Sequence, residues 1–474
     1  MGKSEESLPR NRVKYNVETP RKMRQTSNKK FQSCGTGRQP VQNNTLHGLA
    51  ARLTQNNSHT LSTSRRLTHP LGRLGIFFTL VLFAALSSTT YLHAEESSIS
   101  GKWRLMRTGH YEVHTDLDRE FAENLCERLE AMHREYSTRL ADFQQSGKEH
   151  PIYQVYLFSR KSDYNELTGN RFSNTGGVYM SQKKVLAAFL ENQGRDALRR
   201  TLQHEAFHQF ALTTINDELP VWLNEGLAEY FAEGIWTGEG FMVGQVAPRR
   251  LRQLQSDMRS KKLIPFRKML AMSLDEWNAS LGGDADVGAI QYNQAWAMVH
   301  FLVHGANGTD AYRKRLTHML KLLHLGTPGD DAFREAFSDN IDGFQSRFVE
   351  FANQLKATPE ATLIERQDVL ADMLTALAKN DQRFDSFTTF RRAVTDGGFR
   401  LSYSKGTVGW KTEPDPSVYF ADLAGRPLGP SALYFDPRTT GPLPDIVCRA
   451  GNMRLRTRFY NLGEAIDHEI LTVD

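Results

Sequence analysis

The stretch TLQHEAFHQF, residues 201–210, constrains the chain most, because it places two histidines four residues apart with a glutamate directly after the first. Side chains four residues apart on an α-helix lie on one face, so His204 and His208 can reach the same metal ion. Glu205 lies beside them, where a carboxylate can hold a water molecule. The rest of the stretch is uncharged and lacks proline, which favours a buried helix. The pentapeptide alone leaves a second interpretation open, an amphipathic helix with exposed His and Glu side chains.

The stretch PVWLNEGLAEYFAEG, residues 220–234, offers a third ligand. Sixteen residues separate His208 from Glu225, and the proline at the start of the stretch suits the first turn of a new helix. Catalytic zinc sites usually have three protein ligands, and Glu225 is the carboxylate that a second helix would supply. Gly226 leaves room for close packing of the two helices.

Glu229 is one helical turn beyond Glu225 and has two interpretations. Its carboxylate is placed to accept the outer N–H of a ligand histidine, for which His204 is the best candidate. Alternatively, it is a solvated carboxylate on the helix surface.

Cysteines offer neither a metal site nor a disulfide framework. Cys34, Cys126 and Cys448 are far apart in the sequence and form no CxxC pair. Any metal must therefore be bound by histidine and carboxylate side chains.

The N-terminal segment differs in charge from the rest of the chain. Residues 1–70 contain 13 Lys and Arg but only three Asp and Glu, and they are poor in apolar side chains. Such a segment buries too little surface to offset its ordering entropy, so we expect a disordered basic extension. From residue 95 onward, 45 basic residues stand against 51 acidic ones. This mildly acidic body gives no reason to expect nucleic-acid binding.

Residues 71–94 predict export as a signal peptide or a short membrane anchor. An apolar run at 76–86 follows Arg73 and precedes small and polar residues. Because a bilayer span takes about 20 apolar residues, the run fits a secretory signal better, although a buried core helix is a third interpretation. Cleavage after Ala94 would release the protein, whereas an uncleaved segment would be its only membrane contact. We therefore expect a periplasmic, extracellular or outward-facing anchored protein.

Residues 100–358 predict an α+β domain. Strand patterns at 110–116 and 152–158, a helix at 118–140 and a β-hairpin at 176–190 indicate a small mixed sheet. The following residues are predicted to be mostly helical.

The C-terminal residues differ from the preceding ones in their predicted secondary structure. A helix at 361–378 lies in a linker at 359–384, and residues 385–474 predict a small β-rich accessory domain. The strand candidates include 417–423 and a final pair joined by a turn at Gly451–Asn452.

HEAFH and NEGLAEYF together resemble the motifs of the gluzincin metallopeptidases, the peptidase MA-like group, whose members include uncharacterised secreted proteins. The resemblance covers about residues 100–330. It implies a zincin-like core with a sheet subdomain, the first motif helix at the floor of a cleft, and a helical subdomain beyond it. It also implies one Zn²⁺ bound by His204, His208 and Glu225, with Glu205 as the general base.

The expected function is a secreted or membrane-anchored zinc metallopeptidase acting on a peptide or protein substrate. Glu205 would take a proton from the attacking water and pass it to the leaving amine. Gluzincins often add a Tyr or His donor for the oxyanion, and Tyr292 is the best candidate, with a packing role as the alternative. The strand at 177–180 is a candidate edge for pairing with a substrate backbone. The second hypothesis is a zincin-fold zinc-binding protein with a binding or structural role and little turnover.

Overall fold

The computed structural model describes residues 16–18, 67–68, 103–143, 151–215, 219–281, 285–305, 311–405 and 408–473. The predicted signal or anchor at 71–94 and nearly all of the predicted N-terminal extension lie outside the described residues, so both stay predictions. In the part that is described, no helix is both long enough and apolar enough to span a membrane.

Strands are numbered in chain order over the described residues. They are β1 (Asn16–Glu18), β2 (Leu67–Thr68), β3 (Arg104–Arg107), β4 (Tyr111–Thr115), β5 (Tyr153–Phe158), β6 (Gly177–Met180), β7 (Val185–Phe189), β8 (Ile235–Trp236), β9 (Phe241–Met242), β10 (Leu401–Lys405), β11 (Val408–Lys411), β12 (Leu433–Phe435), β13 (Ile446–Ala450), β14 (Met453–Leu462) and β15 (Ala465–Thr472).

The α-helices are numbered in the same way. They are α1 (Arg119–Arg139), α2 (Lys161–Thr168), α3 (Arg195–Thr214), α4 (Val221–Ala232), α5 (Pro248–Arg259), α6 (Phe266–Ala271), α7 (Leu274–Leu281), α8 (Ala285–His304), α9 (Ala311–His324), α10 (Gly329–Ala336), α11 (Ile341–Gln354), α12 (Pro359–Ala378) and α13 (Phe387–Asp396). This mixture confirms the predicted α+β class.

A mixed sheet of six strands, in the order β1-β3-β4-β5-β7-β6, supports helix α3. Strands β4, β5 and β7 are parallel, and β6 pairs antiparallel with β7, which confirms the predicted hairpin. Strand β6 is last in the order and is therefore an edge strand. Gly177 brings it close to α3, because an added Cβ would lie 2.5 Å from Thr201 Cγ2. The candidate site on α3 thus lies beside the sheet edge.

Helix α4 packs between α3 and α8 within one large hydrophobic core. The prediction that Gly226 serves the packing of the two motif helices is wrong. A Cβ at Gly226 would lie 2.5 Å from Ala295 O and 2.7 Å from Val299 Cγ2, and both residues belong to α8. The absence of a side chain at Gly226 therefore allows α8 to approach α4 closely. The spacing of the two sequence motifs could not reveal this contact.

Gly226→Ala is expected to lower the free energy of unfolding by about 1–2 kcal/mol. The overpacking against the α8 backbone costs about 1–3 kcal/mol, and the better helix propensity of alanine offsets up to about 1 kcal/mol of this. Urea unfolding would measure the change. Gly429→Ala is the control, because nothing lies within 4 Å of a Cβ at that exposed glycine. Equal stability of the two variants would contradict the packing argument.

A second hydrophobic core joins α12 and α13 to the antiparallel sheet β12-β13-β14-β15. The apolar face predicted for α12 is buried, at Val369, Leu370, Met373, Leu374 and Leu377. The predicted turn is confirmed as well, since Gly451, with φ of 61°, and Asn452 connect the paired residues Ala450 and Met453. The proposed division into domains stays a prediction.

The predicted strand at 417–423 is wrong. Residues 416–420 form a 3₁₀-helix instead, which begins at Pro416. The Asp415 side chain accepts a hydrogen bond from the Ser417 backbone N–H at 2.9 Å and so caps the turn. Local capping thus overrides the apolar pattern that favoured a strand.

Charged contacts join the start of α3 to β15. Glu469 accepts hydrogen bonds from Arg195 at 3.1 Å and from Arg199 at 2.7 Å. Asp196 accepts one from the Ile470 backbone N–H at 2.9 Å. The C-terminal sheet is therefore attached to the helix that carries the candidate site.

His468 on β15 makes the stability of the protein depend on pH. Burial alone would lower its pKa, but Asp368, whose Oδ1 lies 2.7 Å from Nε2, and then Asp372 and Asp467 raise the pKa to about 9. The unfolded histidine titrates near 6.5. The stabilisation is therefore complete below about pH 6.5 and is lost as the pH rises through about 9.

Urea unfolding between pH 6 and 10 is expected to show a loss of roughly 2 kcal/mol from this pair, since one pKa unit corresponds to about 1.4 kcal/mol and Asp368 is partly exposed. Asp368→Asn should flatten the profile between pH 6.5 and 9. A profile of the same slope in that variant would show that the pair is not the cause.

Candidate metal centre

Three side chains from α3 and α4 converge on one point. The Nε2 atoms of His204 and His208 lie 3.0 Å apart, and Glu225 Oε2 lies 3.3 Å from the first and 3.7 Å from the second. Tetrahedral ligation with bonds of 2.0–2.1 Å separates ligand atoms by about 3.3 Å, so the spacing fits one ion. We call the three buried side chains of His204, His208 and Glu225 the metal group. Their spacing allows them to bind a metal ion.

The surroundings of Glu225 favour its charged form. Its side chain is 1% exposed, and its Oε2 has no hydrogen-bond partner within the described residues. Burial alone would raise the pKa of Glu225, but the charge of the nearby His208 and His204 imidazoles lowers it to about 2. A buried anion with an unsatisfied oxygen is costly, and a cation between the three ligands removes that cost.

The outer nitrogens of both imidazoles have partners. His208 Nδ1 lies 3.1 Å from Asn224 Oδ1, and His204 Nδ1 lies 3.3 Å from Glu229 Oε1. Such contacts set the orientation of ligand histidines and leave the Nε2 atoms to face the ion. Glu229 lies where the first interpretation of the sequence put it. Asn224 was missed, although its position next to Glu225 on the same helix was a usable signal.

Glu229 is nearly buried and belongs to an ionic cluster, which excludes the solvated interpretation. Arg250 on α5 contacts the Glu229 carboxylate and donates from Nε to Glu233 Oε1 at 2.6 Å. Burial, followed by the charge of Arg200, lowers the pKa of Arg250 to about 9. Sequence reasoning missed Arg250, because α5 follows a pair of short strands and no spacing rule connects it to the motifs.

Glu205 lies between the metal group and the edge strand. Its Oε2 accepts a hydrogen bond from the Tyr179 backbone N–H at 2.8 Å, whereas the buried Oε1 has no partner within the described part of the chain. Burial raises the pKa of Glu205, while the neighbouring histidines counteract it in part. One oxygen is therefore held by β6, and the other is available to a bound molecule.

Tyr292 on α8 lies close to the metal group. Its ring centroid is 6.4 Å from that of His204, and it also packs against Trp277 at 5.3 Å. Burial and then the charge of Glu225 raise the pKa of the Tyr292 phenol well above its usual range. The phenol therefore keeps its proton at neutral pH and can act as a donor.

One protein family matches part of the chain. Residues 199–318 are similar to a family described as a protein of unknown function, DUF1570, and this stretch is about a quarter of the chain. It runs from α3 to α9 and includes every residue of the metal group. No curated protein gave a significant match.

Proposed function

We propose that the protein is an exported zinc metallopeptidase with a zincin-like core of the gluzincin type. The observation that carries the proposal is the buried Glu205 carboxylate, which has one oxygen without a partner in the described residues and lies beside three converging ligand side chains. Cysteine takes no part in the group, which suits the borderline-soft zinc ion with nitrogen and oxygen ligands. Export rests on the apolar segment at 71–94.

The chain supplies the groups that peptide hydrolysis needs. His204, His208 and Glu225 would hold the ion, which when bound acts as a Lewis acid on the scissile carbonyl and the attacking water. Glu205 takes the proton of that water through Oε1 while the Tyr179 N–H holds Oε2 in place, and it then protonates the leaving amine. Tyr292 donates a hydrogen bond to the oxyanion.

Strand β6 is the proposed binding edge for the substrate. It ends the sheet, and its Tyr179 holds the base, so an extended peptide paired with β6 would run past Glu205. Main-chain pairing of this kind accepts many sequences, because the hydrogen bonds involve only the backbone. The proposed substrate is therefore a peptide or protein segment in extended conformation.

One observation favours the second candidate, a zinc-binding protein with a structural or binding role and little turnover. His204 is 3% exposed, His208 and Glu205 are 0% exposed, and Glu225 is 1% exposed. A site so closed resembles a structural metal site, where no open position for substrate is needed. The peptidase proposal thus requires that the elements around the metal group open far enough for a peptide to reach it.

Metal removal tests the proposal. The purified protein is expected to contain about one zinc per chain and to cleave a peptide library, to lose cleavage with a chelator and to regain it with added zinc. Metal content is measured by elemental analysis and cleavage by mass spectrometry. One zinc per chain without cleavage of any library peptide would support the structural role. Cleavage that persists after complete metal removal would contradict both candidates.

A further inference from the structure

Arg250 on α5 is connected to the metal group through Glu229. Its guanidinium contacts Oε2 of Glu229, whereas Oε1 of the same carboxylate lies 3.3 Å from Nδ1 of His204. One oxygen of Glu229 therefore faces a cation, and the other faces a candidate metal ligand. Within the described part of the chain, Arg250 is the only arginine or lysine that forms an ion pair with Glu229.

The guanidinium of Arg250 is itself fixed by several neighbours. Its Nε donates a hydrogen bond to Glu233 Oε1 at 2.6 Å, and its Nη1 donates one to Asn293 Oδ1 at 3.4 Å. Its Cζ lies 5.4 Å from the centroid of the Trp296 ring, and only 16% of the side chain is exposed. A guanidinium held at so many points has little freedom, so its position determines where the carboxylate of Glu229 lies.

The adjacent arginine, Arg249, has a different role. Its Nη2 donates to both carboxylate oxygens of Glu233 at 2.6 Å, and among the described residues it forms no ion pair with Glu229. Glu233 thus has two arginine partners, whereas Glu229 has one. Like charges one helical turn apart repel each other, as these two glutamates of α4 do. Loss of Arg249 would leave Glu233 paired with Arg250, but loss of Arg250 would leave Glu229 without a cation.

The position of the Glu229 carboxylate matters for the tautomer of His204. A neutral imidazole has one N–H and one nitrogen with a free lone pair, and only the latter can bind a metal ion. A carboxylate beside Nδ1 keeps the N–H on that nitrogen and leaves the lone pair on Nε2, which lies 3.3 Å from Glu225 Oε2 in the metal group. A displaced carboxylate would lose this preference and let the ring rotate.

We propose that Arg250 is a positioning residue of the metal group: it holds Oε2 of Glu229, so that Oε1 stays beside Nδ1 of His204 and orients this histidine for the metal ion. Helix α5 then contributes to metal affinity although none of its residues belongs to the metal group. The proposal rests on the proposed binding of zinc by the metal group and is independent of peptide hydrolysis.

The test measures the Kd for zinc of the full chain by competition with a chromophoric chelator. Arg250→Gln should raise the Kd about 10-fold, the lower end of the range for groups that orient ligand histidines. Arg250→Lys should recover part of the affinity, since an ammonium keeps the charge but not the planar fork. Arg249→Gln is the matched control, because it also removes an ion pair with Glu233 but should leave the Kd unchanged.

Two further measurements separate positioning from a general loss of stability. The visible spectrum of the Co²⁺-loaded protein depends on the arrangement of the ligands, so it should change in Arg250→Gln and stay the same in Arg249→Gln. The melting temperature of the metal-free protein should fall in both variants, because each breaks a partly buried ion pair. Zinc affinity should therefore distinguish two variants that metal-free stability does not.

A double-mutant cycle shows whether Arg250 acts through Glu229. Glu229→Gln should also raise the Kd for zinc, and Arg250→Gln should add no further loss in that background. If Arg250→Gln does not fold, Arg250→Lys takes its place in the cycle.

An unchanged Kd in the Arg250 variant, an equal loss in the Arg249 variant, or additive losses in the cycle would each overturn the proposal while zinc binding by the metal group stands. If the unaltered chain binds no zinc, both this proposal and the proposed zinc site fail.

Discussion

Glu205→Gln is expected to lower the rate of peptide hydrolysis by about 10²–10⁴-fold, which is the usual contribution of a general base, while the zinc content stays unchanged. Glutamine keeps the shape of the side chain and can still accept the Tyr179 N–H hydrogen bond through its carbonyl oxygen. It cannot take a proton from water. Because Glu205 is not one of the three converging ligands, the ion should be retained.

Steady-state cleavage of one library peptide, together with elemental analysis of the same sample, would check this result. Glu127→Gln is the matched control, since Glu127 is exposed on α1 and far from the site in sequence. Unchanged hydrolysis in the Glu205 variant would remove the peptidase proposal. Loss of zinc in that variant would instead show that the carboxylate is a ligand.

His208→Ala is expected to remove stoichiometric zinc binding. The variant keeps only two of the three converging ligands, and even changes in the residues that orient ligands cost about 10–100-fold in metal affinity. Loss of a direct ligand should cost more. Because binding to the folded state alone stabilises a protein, saturating zinc should no longer raise the melting temperature of the variant.

The comparison uses equilibrium dialysis with zinc and thermal unfolding with and without the metal. At a zinc concentration of about 100 times Kd, the unaltered protein should gain about 2.7 kcal/mol of stability. His318→Ala is the control, because this exposed histidine lies on α9. Equal zinc stabilisation in the His208 variant would show that the metal is bound elsewhere.

Local spacing was sufficient to predict most elements near the site. The helix containing His204 and His208 spans Arg195–Thr214, and the next begins directly after Pro220. Both are recognisable because helical periodicity and the conformational restriction of proline act over a few residues. The 3₁₀-helix at 416–420 was not recognisable from the sequence, because its aromatic residues also fit a strand. The cap at Asp415 decided the outcome.

Contacts between distant segments could not be predicted. The partners of Glu229 and Glu205, namely Arg250 and the Tyr179 backbone, come from α5 and β6, which no motif connects to α3 or α4. The close approach of α8 at Gly226 is of the same kind. Sequence spacing carries no information about which elements lie side by side when they are separated by tens of residues.

The sequence by itself determined that His204 and His208 can act together at the candidate metal site, because two residues one helical turn apart share a face of their helix through backbone geometry alone. Only the tertiary structure decided what surrounds them. It brought Glu225 to the two histidines, buried the group, held Glu205 against the sheet edge and paired Glu229 with Arg250. Burial and charge compensation depend on every element packed around a residue, so they arise only when the whole fold is assembled.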